Sequence, residues 1–88
     1  MRSEEALQVI LRPYVTERTF DLIERQNKIV FLVKNGARKR KIRDAVEMLY
    51  DVDVASVNTA NTLSGKKAYV RLSEKSSATD LASKLGLV

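Results

Sequence analysis

Three residue types are absent from this sequence: none of its 88 residues is cysteine, histidine or tryptophan. Without cysteine and histidine, the chain has no thiolate or imidazole that could act as a nucleophile, a base or a zinc ligand. The absence of cysteine also excludes the disulfide framework of small secreted domains, which favours a cytosolic protein. Zinc sites, disulfides and histidine-based triads are therefore excluded, and we expect no metal and no cofactor.

Glycine and long apolar runs are also scarce. The three glycines, Gly36, Gly65 and Gly86, each fall at a predicted turn or helix end, so neither a Walker loop nor a dinucleotide-binding fingerprint is present. No apolar run approaches the roughly 18 residues that span a bilayer, and the N-terminus shows no cleavage-site pattern. We expect a protein that is not an enzyme, has no small-molecule substrate, and is neither secreted nor inserted in a membrane.

The sequence does contain an excess of positive charge, most of it in one stretch. Lysine and arginine number 16 against 11 acidic residues, a formal net charge of +5. Residues 36–71 hold eight cations and four acids, and eight minus four gives +4 for this stretch. Such an excess favours a polyanionic partner, and nucleic acid is the leading candidate.

Hydrophobic periodicity predicts a single domain, residues 1–88, with the order strand, helix, strand, helix, strand, strand, helix. The predicted elements cover residues 6–12, 16–24, 29–33, 42–49, 52–57, 68–72 and 77–85. This order argues for a small α+β sandwich with a mostly antiparallel four-stranded sheet and three helices. The unbroken apolar run at 29–33 is typical of a strand covered on both faces, so we expect elements on both sides of the sheet. The odd step from Val54 to Val57 predicts a bulge or a change of face.

The densest basic segment, ARKRKIR at residues 37–43, opens the second predicted helix. The helix dipole disfavours cations at that end by roughly a few tenths of a kcal/mol each, so stability does not explain them. A phosphate backbone does, because exposed amides, the dipole and the neighbouring cations all favour an anion there. The alternative is a solvated helix face supported by Arg40–Asp44 and Arg43–Glu47 pairs at i, i+4.

Two further groups of polar residues are candidates for nucleic-acid contacts. Lys67, Tyr69 and Arg71 alternate along one strand, and this row suits phosphate contacts beside a stacked base. The row is equally typical of ordinary antiparallel sheets, where a tyrosine packs across strands. Four amide or hydroxyl side chains at a strand end can hydrogen-bond ribose, bases or phosphate, or can satisfy their own turn. They are Asn58, Thr59, Asn61 and Thr62.

The segments LRPYVTERT, QNKIVFLV, VNTANT and KKAYVRL, in this order, resemble the universal large-subunit ribosomal protein 23 family. The likeness covers nearly the whole chain and includes the Pro-x-Val-Thr-Glu entry to the first predicted helix. Bacterial members of the family carry a long basic loop between the last two strands, whereas only ANTLSGK joins them here. The chain therefore resembles the archaeal or eukaryotic type.

This resemblance implies a structural protein at the exit of the polypeptide tunnel, bound to large-subunit rRNA and to a neighbouring ribosomal protein. It also implies a docking surface for signal recognition particle, the translocon or a nascent-chain chaperone. In bacterial members a glutamate at the helix entry engages the chaperone, and Glu17 occupies the matching position. Arg18 and Asp21 complete the predicted docking surface.

We therefore predict an rRNA-binding ribosomal protein that works in the cytoplasm as part of the ribosome. The alternative is a free-standing basic adaptor domain that steers acidic protein partners. The predicted rRNA contacts are Arg12, Tyr14, Arg38, Lys39, Arg40, Lys41, Arg43, Asn58, Thr59, Asn61, Lys66, Lys67, Tyr69 and Arg71.

Overall fold

A computed structural model describes residues 1–87, which form a four-stranded antiparallel sheet and four helices. The elements in chain order are α1 (Ser3–Val9), β1 (Ile10–Pro13), α2 (Glu17–Gln26), β2 (Lys28–Val33), α3 (Lys39–Tyr50), β3 (Val54–Thr62), β4 (Gly65–Leu72) and α4 (Ala78–Lys84). The predicted α+β class and the predicted order of elements are confirmed, with one additional helix at the N-terminus. No helix in this part of the chain is long and apolar enough to cross a membrane.

The strand order in the sheet is β1-β2-β4-β3, and each neighbouring pair is antiparallel. β4 is a central strand, and β3 and β1 are the edges. The register of β3 on β4 shifts between Val54 and Ser56, which favours a bulge over a change of face, the two alternatives that the spacing of the valines predicts. A short turn at residues 63–64 joins β3 to β4, and the Thr62 hydroxyl closes it by donating to the Gly65 carbonyl at 2.8 Å.

Side-chain alternation along the strands places the core on one face of the sheet. Ile29, Phe31 and Val33 of β2 form one buried cluster with residues from all four helices of the described chain. The ring of Phe31 stacks on that of Tyr50 at the end of α3, with centroids 5.5 Å apart and an interplanar angle of 9°. We call this side of the sheet the covered face.

The expectation that elements flank both sides of the sheet was wrong. Val30 and Leu32 lie on the other face, outside the core cluster, yet they are only 1% and 5% exposed. Their cross-strand neighbours on β4 are Tyr69 and Lys67, whose long side chains can cover them. Within residues 1–87 this second face is covered by side chains and not by helices, and we call it the open face.

The prediction of a strand starting at residue 6 was also wrong, because residues 3–9 form α1. Ala6, Val9 and Ile10 are the buried residues here, and their i, i+3, i+4 spacing suits a helix packed on α3. Leu7 and Leu11, whose alternation with Val9 suggested a strand, are 62% and 59% exposed. Packing against α3 therefore favours a helix over a strand at residues 3–9.

α2 begins as predicted at an N-cap threonine. The Thr16 hydroxyl accepts from the Thr19 amide at 3.2 Å, and the Thr19 hydroxyl accepts from the Thr16 amide at 2.7 Å, which together make a capping box. Glu17 lies in the first turn, where the helix dipole favours an acid.

Asn27 ends α2 in the left-handed conformation, with φ of 55°. Its side-chain amide donates to the carbonyls of Leu72, Ser73 and Ser76 at 3.0–3.2 Å. Its side-chain oxygen accepts from the amide of Ala78, the first residue of α4, at 2.7 Å. One side chain therefore joins the ends of α2 and β4 to the start of α4.

Candidate nucleic-acid interface

Cations surround the start of α3. The helix begins at Lys39, and its N-cap Arg38 has extended backbone and makes no side-chain capping bond. The first turn contains no acid. The prediction that the basic segment opens this helix is confirmed. The α3 basic patch consists of the exposed residues Arg38, Lys39, Arg40, Lys41 and Arg43.

The i, i+4 ion pairs that would make the patch an ordinary solvated helix face do not form. Arg43 instead lies 4.0 Å from the adjacent Asp44, the limit of an ion pair. The Glu47 carboxylate accepts a hydrogen bond from the Val54 amide at 3.0 Å, so it anchors the start of β3. The alternative of a solvated helix face loses the support of both pairs, because Asp44 lies nearest Arg43 and Glu47 bonds the start of β3.

Lys41 is the member of the patch that has a close acidic partner. Its ammonium lies 2.9 Å from the Glu5 carboxylate of α1, and this bond lowers the pKa of Glu5. Arg38, Lys39 and Arg40 make no ion pair within residues 1–87. No acidic group in that part of the chain therefore neutralises their charge.

A second basic surface lies on the open face. Lys67, Tyr69 and Arg71 share this face, because the intervening Ala68 and Val70 are fully buried on the other side. The shared orientation predicted from the alternation is confirmed. Strand register adds residues from β1, β2 and β3. The open-face row consists of Arg12, Tyr14, Lys28, Ser56, Asn58, Lys67, Tyr69 and Arg71.

A cation–π contact on the open face links Tyr14, which follows β1, to Lys67 of β4. The Tyr14 amide donates to the Val30 carbonyl at 2.8 Å, which extends the pairing of β1 by one residue. The Lys67 ammonium lies 3.8 Å from the centroid of the Tyr14 ring. Lys28 was not predicted as a site residue. It lies opposite Arg71, and its place two residues before Val30 is the sequence signal that assigns it to the same face.

Some of the predicted rRNA contacts lie outside both the α3 basic patch and the open-face row. Lys66 lies on the covered face, and its ammonium donates to the Ala37 carbonyl at 2.6 Å. Thr59 and Asn61 share that face by register, whereas Asn58 lies on the open face. The polar cluster at the end of β3 is therefore divided by strand alternation.

The predicted docking residues lie together on the solvent side of α2. Glu17, Arg18 and Asp21 are all exposed. The Asp21 carboxylate lies 3.5 Å from Arg25 one turn later, in an exposed ion pair. These residues lie on α2, on the covered side of the sheet, and they are members of neither the α3 basic patch nor the open-face row.

The fold and the two surfaces define a small basic α+β domain with helices on one side of its sheet. The family model described as ribosomal protein L23 matches residues 8–79. A Haloarcula marismortui protein, named large ribosomal subunit protein uL23, is 49% identical over 80 residues, or 90% of this chain and 94% of that protein. A Pyrobaculum aerophilum protein of the same name is 48% identical over 81 residues, or 91% and 100%.

A longer protein of that name from Tetrahymena thermophila is 46% identical over 91% of this chain and 54% of its own length. The chain belongs to the ribosomal protein L23 family, and the resemblance to its archaeal and eukaryotic members is confirmed. It is a structural component of the ribosome and not an enzyme, and it works in the cytoplasm as part of that particle.

Proposed function

We propose that this chain binds large-subunit rRNA at the exit of the polypeptide tunnel, as a structural component of the large ribosomal subunit. The names of its relatives support the assignment to that subunit. The observation that carries the proposal of RNA binding is the α3 basic patch. Its first three cations lie at the positive end of the helix dipole with no acidic partner among residues 1–87, an arrangement that a bound phosphate stabilises.

The position of the patch next to an edge strand supports a nucleic-acid partner. Lys39, Arg40 and Arg43 line a groove of about 350 Å³ together with residues 55–57 of β3. An exposed edge strand offers unpaired backbone groups beside these cations. Phosphates can therefore meet both charged side chains and backbone amides along one side of the molecule.

We further propose that the solvent side of α2 contacts protein partners. Glu17, Arg18 and Asp21 are exposed on the helical side of the sheet, away from the open-face row. Binding of RNA to the open-face row would leave this side accessible. The proposed partners are a neighbouring large-subunit protein and a factor that meets the nascent chain: signal recognition particle, the translocon or a chaperone.

Charge reversal tests the role of the α3 basic patch. The double variant Arg38→Glu with Arg40→Glu is compared with the double variant Arg25→Glu with Lys84→Glu, which changes the net charge equally but lies on α2 and α4. Loss of two phosphate contacts is expected to reduce the slope of log affinity against log salt by about 1.4–1.8. Equal affinities and slopes for the two variants on a large-subunit rRNA transcript would contradict the proposal.

The adaptor alternative makes a different prediction for whole ribosomes. A structural component stays with large subunits through a moderate-salt wash, because many contacts hold it at once. An adaptor that is only steered by charge elutes, since exposed charges are screened beyond about 10 Å at 0.1 M salt. Cosedimentation of the tagged chain with purified large subunits separates the two.

A further inference from the structure

The charged side chains on the strands of the open face are all of one sign. Its strand positions hold four cations, Arg12, Lys28, Lys67 and Arg71, and no acid. None of these four makes an ion pair within the described chain. A face that carries only positive charge is complementary to a polyanion. It is less complementary to a protein surface that carries both acidic and basic side chains.

The tyrosines of the molecule occupy three different environments. Tyr50 is stacked on Phe31 beside the core, and the ring of Tyr14 lies under the Lys67 ammonium. Tyr69 is half-buried and, within residues 1–87, its ring has neither an aromatic nor a cationic partner. It is therefore the tyrosine whose π face is available to a ligand.

The position of Tyr69 in the sheet also suits the stacking of a base, because buried apolar surface lies beneath the ring and polar side chains lie around it. It lies on central strand β4, with Val30 opposite it on β2 and Asn58 opposite it on β3. Val30 is 1% exposed, so the ring rests on packed apolar surface. Lys67 and Arg71 flank it two residues away on either side, roughly 7 Å along the strand.

We propose that the open face binds an unpaired segment of RNA, with one base stacked on Tyr69 and its flanking phosphates held by Lys67 and Arg71. Asn58 is placed to hydrogen-bond the edge of the stacked base. This inference rests on the proposed binding of rRNA and adds a division of labour. The α3 basic patch holds the backbone through charge alone, whereas the open face requires bases that are free to stack.

The test uses the full chain and two labelled probes, an unstructured oligouridine of about 12 nucleotides and a fully paired duplex of the same length. Tyr69→Phe keeps the ring and is expected to bind the oligouridine within about twofold of the wild type. Tyr69→Leu keeps apolar cover over Val30 but removes the π face. It is expected to bind the oligouridine roughly 5- to 150-fold more weakly and the duplex equally well.

Several results would overturn the inference, and they can be told apart. If Tyr69→Leu binds the oligouridine like the wild type while the wild type binds RNA, stacking on Tyr69 is disproved and the proposed function survives. If the wild type binds neither probe nor large-subunit rRNA, both fail. Should the leucine variant not fold, photocrosslinking of 5-iodouridine RNA to the wild type decides: a crosslink at Tyr69 supports the inference, and crosslinks confined to other residues refute it.

Discussion

The covered and open faces of the sheet are built from the same strands, but the covered face forms the core and the open face is the proposed binding surface. On the covered face, Phe31 and Val70 are fully buried among residues of the helices. On the open face, their neighbours Val30 and Tyr69 lie opposite each other and, within residues 1–87, outside the cluster that the helices complete. Because successive residues of a strand point to opposite sides, adjacent positions in the sequence can serve stability and binding separately.

This separation has a consequence for mutations. Substitutions on the covered face should lower the free energy of unfolding, and substitutions on the open face and the α3 basic patch should lower affinity for RNA.

The largest effect is expected for Phe31→Ala. Phe31 is 0% exposed and stacks on Tyr50, so its truncation leaves a cavity and should lower the free energy of unfolding by about 3–5 kcal/mol. Urea denaturation measures this change. Lys67→Ala, one strand away on the opposite face, is the matched control and should cost no more than about 1 kcal/mol. Similar losses in both variants would contradict the division between faces.

A somewhat smaller loss is expected at Asn27, on the edge of the covered face. Asn27→Ala removes the side-chain bonds to three carbonyls and one amide, at about 0.5 kcal/mol each, and places alanine in the left-handed region at a further cost of about 1 kcal/mol. The expected total is about 3 kcal/mol. Asn27→Gly removes the same bonds but accepts the positive φ, so it should be about 1 kcal/mol more stable than the alanine variant. Equal stabilities in urea denaturation would rule out backbone strain at this position.

Asn27 also shows why part of the fold could not be predicted from the sequence. The capping threonine of α2, the apolar strand β2 and the 3.6-residue period of α3 are local patterns, and the structure confirms them. The partners of Asn27 lie 45 to 51 residues further along the chain. No local pattern encodes such a contact, so its role emerges only when the strands are assembled.

The site shows the same limit. Alternation predicted that Lys67, Tyr69 and Arg71 share one face, and the spacing of the valines predicted an irregularity in β3 after Val54. Arg12 and Tyr14 were predicted as contacts, but their place on the same face as this row comes from the pairing of β1 with β2, and register depends on the whole sheet. For α1, the sequence carried both a strand pattern and a helix pattern. Packing against α3 selected the helix.

A small gain in stability is expected at Asp51, on the helical side of the sheet. Asp51 ends α3 with φ of 52°, where a left-handed backbone strains an aspartate and the helix dipole disfavours an acid. Asp51→Gly should raise the free energy of unfolding by about 0.5–1 kcal/mol. Asp51→Asn, which removes only the charge, should give less. Thermal unfolding measures both, and a change in RNA affinity in either variant would contradict the separation of the two functions.

The smallest effect is expected at the Glu5–Lys41 pair, where packing of α1 and the predicted RNA surface use the same lysine. Hydrogen bonding to Lys41 lowers the pKa of Glu5, so the pair stabilises the fold above the ordinary pKa of a glutamate and this contribution is lost as pH falls through the lowered value. Lys41→Gln should return the pKa of Glu5 towards its ordinary value in an NMR titration, whereas Lys39→Gln should not. Glu5→Gln should leave Lys41 unpaired and strengthen binding to RNA slightly, because the phosphate no longer competes with a carboxylate. Weaker binding in that variant would show that α1 must be held in place for the α3 basic patch to work, and that the fold and the interface are coupled at this one position.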